Sequence, residues 1–120
     1  MILVDTSVWI DHLRSGDENL VELLNHGQVL MHPFVLGELA CGNLASRAEV
    51  LGLLKQLPQS AVASEDEVLA FIEKRGLMGR GIGYVDMHLL AAVALECSAR
   101  LWTRDKRLWA VADELLMGYR

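Results

Sequence analysis

Gly83-Tyr84-Val85-Asp86-Met87-His88-Leu89-Leu90-Ala91-Ala92-Val93-Ala94 is the longest apolar run in the chain, and one acid stands in its opening turn. A helix that is apolar on every side is a buried helix. An ionised Asp beside such a surface is costly unless something positive meets it. The helix N-terminus supplies part of that charge. The rest must come from a cationic side chain or a metal ion. Two other acids sit in comparable places: Asp5 follows Ile2-Leu3-Val4, and Asp105 follows Leu101-Trp102-Thr103. The three acids are expected to meet around a metal.

Working outward, Ile2-Leu3-Val4 reads as a strand buried on both faces. Thr6 or Ser7 caps a helix carrying Val8, Trp9, Ile10 and Leu13. Arg14 to Asp17 breaks it, and a second helix runs from Glu18 to Asn25, closed by His26-Gly27. Val29-Leu30-Met31 is the next strand. Pro33 suits the first turn of a helix that Gly42 closes. Ser46 with Glu49 forms a capping box for a helix through Leu57. Ser60 to Ala63 reads as a short strand, and Ser64 opens an acid-rich helix reaching Arg75. Gly79, Gly81 and Gly83 form a loop before the Asp86 helix. Ala99 to Thr103 is the last strand, and Lys106 to Met117 the last helix.

Strands alternating with helices predict an α/β domain with a mainly parallel central sheet. Right-handed crossovers put every strand C-terminus on one edge, where ligands bind in open α/β sheets. Asp5 and Asp105 fall at that edge. The 120 residues make one domain, residues 1–120. At 52% hydrophobic, the chain has apolar surface to spare for a partner. Cys41 and Cys97 have no metal or disulfide spacing, which suits a reduced, cytoplasmic protein. The start has no signal-peptide pattern, and the apolar run after Asp86 is too short to span a bilayer.

The net charge of −5 is unevenly spread. Residues 1–71 hold three basic and ten acidic side chains, whereas residues 72–120 hold eight basic and six acidic. The asymmetry leaves room for a local basic rim on an acidic protein. Arg80, Arg104 and Lys106 are its candidates for phosphate contact, because Arg80 lies in the glycine loop and the other two flank Asp105.

Like charges gathered in one pocket drive one of their number towards protonation. A divalent cation removes that conflict. Oxygen donors without clustered His or Cys select Mg²⁺ or Mn²⁺ over Zn²⁺. Asp5, Asp86 and Asp105 are the candidate ligands, and Glu38 is a fourth acid of the same site. Mg²⁺ takes few carboxylates directly. Asp5 and Asp86 are therefore placed on the ion, with Asp105 and Glu38 acting through water or on a second ion. Thr6, Ser7 and Thr103 are placed to orient the carboxylates. Taken singly, each acid reads equally well as a helix cap; three at matching positions favour a site.

The stretch Asp5-Thr6-Ser7-Val8-Trp9-Ile10 resembles the opening of PIN-domain ribonucleases of the VapC toxin type. Glu38-Leu39 with Gly42 is similar to their second acidic motif. Gly83 to Ala92 resembles the third, and Leu101-Trp102-Thr103-Arg104-Asp105-Lys106 the fourth. The resemblance implies a three-layer α/β/α sandwich and a Mg²⁺- or Mn²⁺-dependent endoribonuclease. It assigns Asp5, Glu38, Asp86 and Asp105 to the acidic quartet, and Thr6 and Thr103 to the supporting hydroxyls. It further implies an RNA substrate and a cognate antitoxin; the acidic, leucine-rich N-terminal half is expected to form a homodimer face or to receive an antitoxin helix. Metal-activated water would leave a 5′-phosphate and a 3′-hydroxyl.

Other features point elsewhere or nowhere. Gly79-Arg80-Gly81-Ile82-Gly83 follows a helix and lacks the GxGxxG spacing, so it is no nucleotide fingerprint. His12, His26, His32 and His88 have no zinc spacing. Trp9, Trp102 and Trp109 read first as core residues and second as base-stacking platforms. A receiver-like signalling module would need an acid pair after the first strand, but Thr6-Ser7 follows Asp5. A haloacid-dehalogenase-type phosphatase would need Asp at position 7. A catalytically silent binding module on the same fold remains an alternative.

Overall fold

A computed structural model describes residues 1–120. The elements, in order, are β1 (Ile2–Val4), α1 (Thr6–Ser15), α2 (Glu18–Asn25), β2 (Val29–Leu30), α3 (Pro33–Cys41), α4 (Arg47–Lys55), α5 (Glu65–Arg75), α6 (Tyr84–Leu95), β3 (Arg100–Trp102) and α7 (Lys106–Glu114). The strands form a parallel sheet in the order β2-β1-β3, with Ile2 opposite Val29 and Arg100. Helices cover the sheet, giving the α/β sandwich that the strand–helix alternation predicts. No helix is long and apolar enough to cross a membrane.

β1 is the central strand, and Ile2, Leu3 and Val4 are all buried. On α6, Met87 to Val93 are buried without interruption, so this helix is enclosed. It packs against α5 and β3. Burial on every side explains why its sequence shows no polar stripe.

Three local expectations are corrected. Ser46 does not close a capping box: its backbone is left-handed (φ 51°), and its side chain makes no cap hydrogen bond. Residues 60–63 do not form a strand. The Ala61 amide donates to the Glu96 carboxylate, leaving only a parallel bridge between Met31 and Gln59 at the sheet edge. The last helix stops at Glu114 instead of Met117, and Leu116 takes a positive φ of 60°. That turn sends the tail back to the sheet. Leu101 donates its amide to Met117 O (2.7 Å) and accepts at its carbonyl from the Tyr119 amide (2.8 Å). A two-way exchange with a strand outweighs one more turn of exposed helix.

His32 is fully buried at the start of α3, where its Nδ1 accepts from the Phe34 amide at 3.0 Å. Burial first, and the neighbouring His88 second, hold its pKa down at about 4. A depressed His pKa gives stability that is present above the unfolded value near 6.5 and lost as pH falls through the folded one. Wild type should therefore lose on the order of 3 kcal/mol between about pH 6.5 and pH 4 from this group. His32→Asn keeps a capping oxygen but does not titrate. Urea unfolding across that range should show a flatter pH slope for His32→Asn, whatever its absolute stability.

Candidate active site

The site stands at the C-terminal edge of the sheet, where β1 ends at Val4 and β3 at Trp102. The Asp5 amide extends the ladder by donating to Trp102 O at 2.9 Å. Asp5 is then buried at 6% exposure, and its side chain caps nothing. Its Oδ2 instead accepts from Ser7 Oγ (2.8 Å) and Thr103 Oγ1 (2.7 Å). Each hydroxyl is oriented from behind by a backbone amide. Arg104 N donates to Ser7 Oγ at 3.0 Å, and Asp105 N donates to Thr103 Oγ1 at 3.1 Å. The chain of donors fixes the rotamer of Asp5 and keeps its other oxygen out of the network.

Glu38 comes from α3, which packs against α1. It is exposed, and Thr6 Oγ1 donates to its Oε1 at 2.7 Å. Asp105 is the N-cap of α7, and its Oδ1 accepts from the amides of Arg107 (2.9 Å) and Leu108 (3.0 Å). Asp86 reaches back to the Gly83 amide at 3.3 Å. The bland reading of these two acids as helix caps is therefore correct for one oxygen of each.

Electrostatics tie the acids together. The Asp86 carboxyl is pushed above the ordinary range by burial first, with the Gly83 hydrogen bond opposing. The charges of Asp5, Asp105 and Glu38, in that order, push it further up. Acids from three other segments of the chain thus act on Asp86. The donor set is oxygen only, and a cation would relieve this mutual repulsion, so the residues fit a hard divalent ion. As the side chains stand, no three acids are drawn into one ligating cluster.

The basic residues are disposed differently from one another. Arg80 forms a two-pronged pair with Glu114 (2.7 and 3.0 Å). Arg104 is held by Asp11 at 2.6 Å and by Asp17. Lys106 forms no ion pair. Sequence reading had no signal for the Arg104 partners, which lie 93 and 87 positions away. Trp9 is in the core, whereas Trp102 and Trp109 are only partly buried.

A model of the PIN domain family matches residues 2–114. The chain belongs to the PIN-domain family. This PIN domain is similar to the proteins called Ribonuclease VapC32 in two strains of Mycobacterium tuberculosis, CDC 1551 / Oshkosh and ATCC 25618 / H37Rv. Each is 55% identical over 114 residues, covering 95% of this chain and 92% of the relative. The VapC type of PIN domain is therefore its place, in agreement with the four sequence motifs.

The raised Asp86 carboxyl gives a sign that can be measured. A carboxyl raised on folding favours the protonated folded state, so stability falls as pH rises through its folded pKa. Without divalent ions at neutral pH, Asp86→Asn should melt at a higher temperature than wild type. Mg²⁺ at about a hundred times its Kd should stabilise wild type by about 2.7 kcal/mol and the variant by much less. Thermal melts with EDTA and with Mg²⁺ test both statements.

Proposed function

We propose that residues 1–120 work as one domain, a Mg²⁺- or Mn²⁺-dependent endoribonuclease and the toxin of a toxin–antitoxin pair. The observation that carries this reading is the convergence on Asp86, whose carboxyl feels Asp5, Asp105 and Glu38 at the C-terminal edge of a parallel sheet. The ribonuclease name of the two relatives supports the choice of substrate.

Asp5 and Asp86 would hold the ion. Asp105, with one oxygen spent on capping α7, and Glu38, held by Thr6, would act through water or on a second ion. Bound there, the ion acidifies water and neutralises the charge of an in-line displacement at phosphorus. The chain's own task is to keep the oxygens pointed. Ser7 and Thr103 do this for Asp5, and Thr6 for Glu38. Lys106, unpaired beside Asp105, is the best placed cation for a phosphate. Arg80 and Arg104 would reach RNA only by sharing or leaving their carboxylate partners.

The setting follows from the same reading: the cytoplasm, an antitoxin chain and a homodimer. Ile10, Leu13, Leu39 and Leu44 line a cleft of about 430 Å³ that also touches Glu38. An apolar antitoxin segment seated there would lie against Glu38.

Purified protein should cut single-stranded RNA only with Mg²⁺ or Mn²⁺, leaving 5′-phosphate ends that a 5′-phosphate-dependent exonuclease degrades. Asp86→Asn should abolish cutting with the fold retained by circular dichroism. Equal cutting by the variant would remove the assignment. Thr103→Val should keep the shape but raise the metal concentration needed for half-maximal cutting by roughly 10- to 100-fold. A metal titration of cleavage rate tests it.

A further inference from the structure

Beyond the acids, the C-terminal tail builds a second feature that the catalytic reading does not use. Where the tail returns to β3, it closes a groove of about 400 Å³. Trp102, Trp109 and Tyr119 form its floor, and Arg104, Lys106 and Arg120 its rim. Thr103, whose hydroxyl holds Asp5, also lines it. Thr103 thus belongs both to this groove and to the network that holds Asp5. No acid lines it.

The aromatic floor is held in place. The Trp102 and Tyr119 rings stand 5.4 Å apart, centroid to centroid. The Arg104 guanidinium lies over Trp102 at 5.7 Å, and that of Arg120 over Trp109 at 5.4 Å. Trp109 rests on Gly118 so closely that a Cβ there would come within 2.3 Å of its ring. Arg104 and Arg120 are also tied to Asp11, Asp17 and Asp113. Of the rim cations, only Lys106 has no carboxylate partner. Both tryptophans and Tyr119 remain partly exposed.

We propose that this groove is a binding subsite for one unpaired nucleotide of single-stranded RNA next to the cleaved phosphodiester. The base takes the place of the Arg104 or Arg120 guanidinium over the Trp102 or Trp109 ring, and its phosphate meets Lys106. The inference rests on the ribonuclease reading and gives that substrate a position on the protein. Partly exposed aromatic rings beside a free cation are the combination that binds unpaired nucleotides, because each base has a face to stack and each phosphate a charge to neutralise. A duplex hides those faces in its own stack, so the groove selects unpaired RNA. The absence of acid on its lining complements a phosphate, and Thr103, shared with the Asp5 network, sets the groove next to the acidic site.

The test uses the full chain carrying Asp86→Asn, which does not cut, and a short labelled single-stranded oligoribonucleotide read by fluorescence anisotropy. Adding Trp109→Leu should weaken binding about tenfold or more, and Trp109→Phe should restore most of it. Lys106→Ala should weaken binding and reduce the salt slope of log K by about 0.7, the share of one phosphate on a single strand. A duplex of the same sequence should compete poorly. Unchanged affinity in both Trp109→Leu and Lys106→Ala, with melting curves intact, would overturn the proposal. Should Trp109→Leu not fold, photo-crosslinking of 5-iodouridine RNA to the Asp86→Asn chain decides instead. A crosslink at Trp109, Trp102 or Tyr119 supports the subsite, and crosslinks only elsewhere overturn it. In the cutting enzyme, Lys106→Ala should raise KM more than it lowers kcat. Cutting that needs Asp86 but has the same KM in the groove variants would refute the subsite alone. Cutting indifferent to Asp86 would refute the ribonuclease reading itself.

Discussion

A carboxylate buried at the end of the central strand has to be held, and the hold on Asp5 organises the rest of the site. Its Oδ2 receives hydroxyls from Ser7, at the start of α1, and from Thr103, just past β3. Those two segments are joined in space only because β1 and β3 run parallel and side by side. The backbone amides of Arg104 and Asp105 orient the same hydroxyls. Burying a carboxylate at this point costs less than it would in hydrocarbon, because the donors replace part of the lost water. The arrangement also has a consequence for Asp105. Its amide belongs to the Asp5 network while its side chain caps α7, so two acids of the site are positioned by one short turn.

The opposite pressure falls on Asp86. Its helix is enclosed from Met87 to Val93, so that segment is anchored by the largest apolar commitment in the molecule. The backbone at its head is thereby fixed, and the Asp86 carboxyl feels the charges of Asp5, Asp105 and Glu38. Apolar burial thus holds like charges together against their own repulsion. A carboxyl raised by burial and by like charges is the kind of group that active sites collect, and a cation placed beside it would relieve the repulsion. Asp86→Asn should therefore affect metal-free stability and catalysis in opposite directions, a stability–activity trade-off that a purely structural helix cap would not show.

What was legible in the sequence follows from this division. The parallel sheet could be read because Ile2-Leu3-Val4 and Leu101-Trp102 are short apolar runs between helices. The positions of Asp5 and Asp105 came with them, since a residue after a parallel strand has one edge to occupy. The enclosure of α6 was legible from its lack of a polar face. Two of the errors share a cause. Ser60 to Ala63 and Leu115 to Met117 carry acceptable local signals that distant groups override, whereas Ser46 fails as a cap through its own left-handed backbone. The Glu96 carboxylate takes the Ala61 amide, and Leu101 captures the tail. Partners such as Asp11 and Asp17 for Arg104 have no local signature at all. The groove walls escaped for the same reason: Trp102, Trp109 and Tyr119 are brought together by a tail whose pairing no periodicity announces.

The ion pairs of the C-terminal half deserve a different reading from their number. Exposed pairs such as Arg80–Glu114 contribute little to stability, typically under about 1 kcal/mol each. Their effect is positional. Arg104 ties α1 and the N-cap of α2 to the turn that carries Thr103 and Asp105, since Asp11 lies on α1 and Asp17 caps α2. Arg80 fixes the glycine loop before α6 to the end of α7. Each pair therefore joins an acid-bearing segment to another element of the fold. Three of the eleven Lys and Arg side chains, Arg80, Arg104 and Arg120, are engaged in ion pairs, whereas Lys106, next to Asp105 in the chain, has no carboxylate partner. Net charge alone argues against a nucleic-acid substrate; the distribution of unpaired charge around the site argues for one.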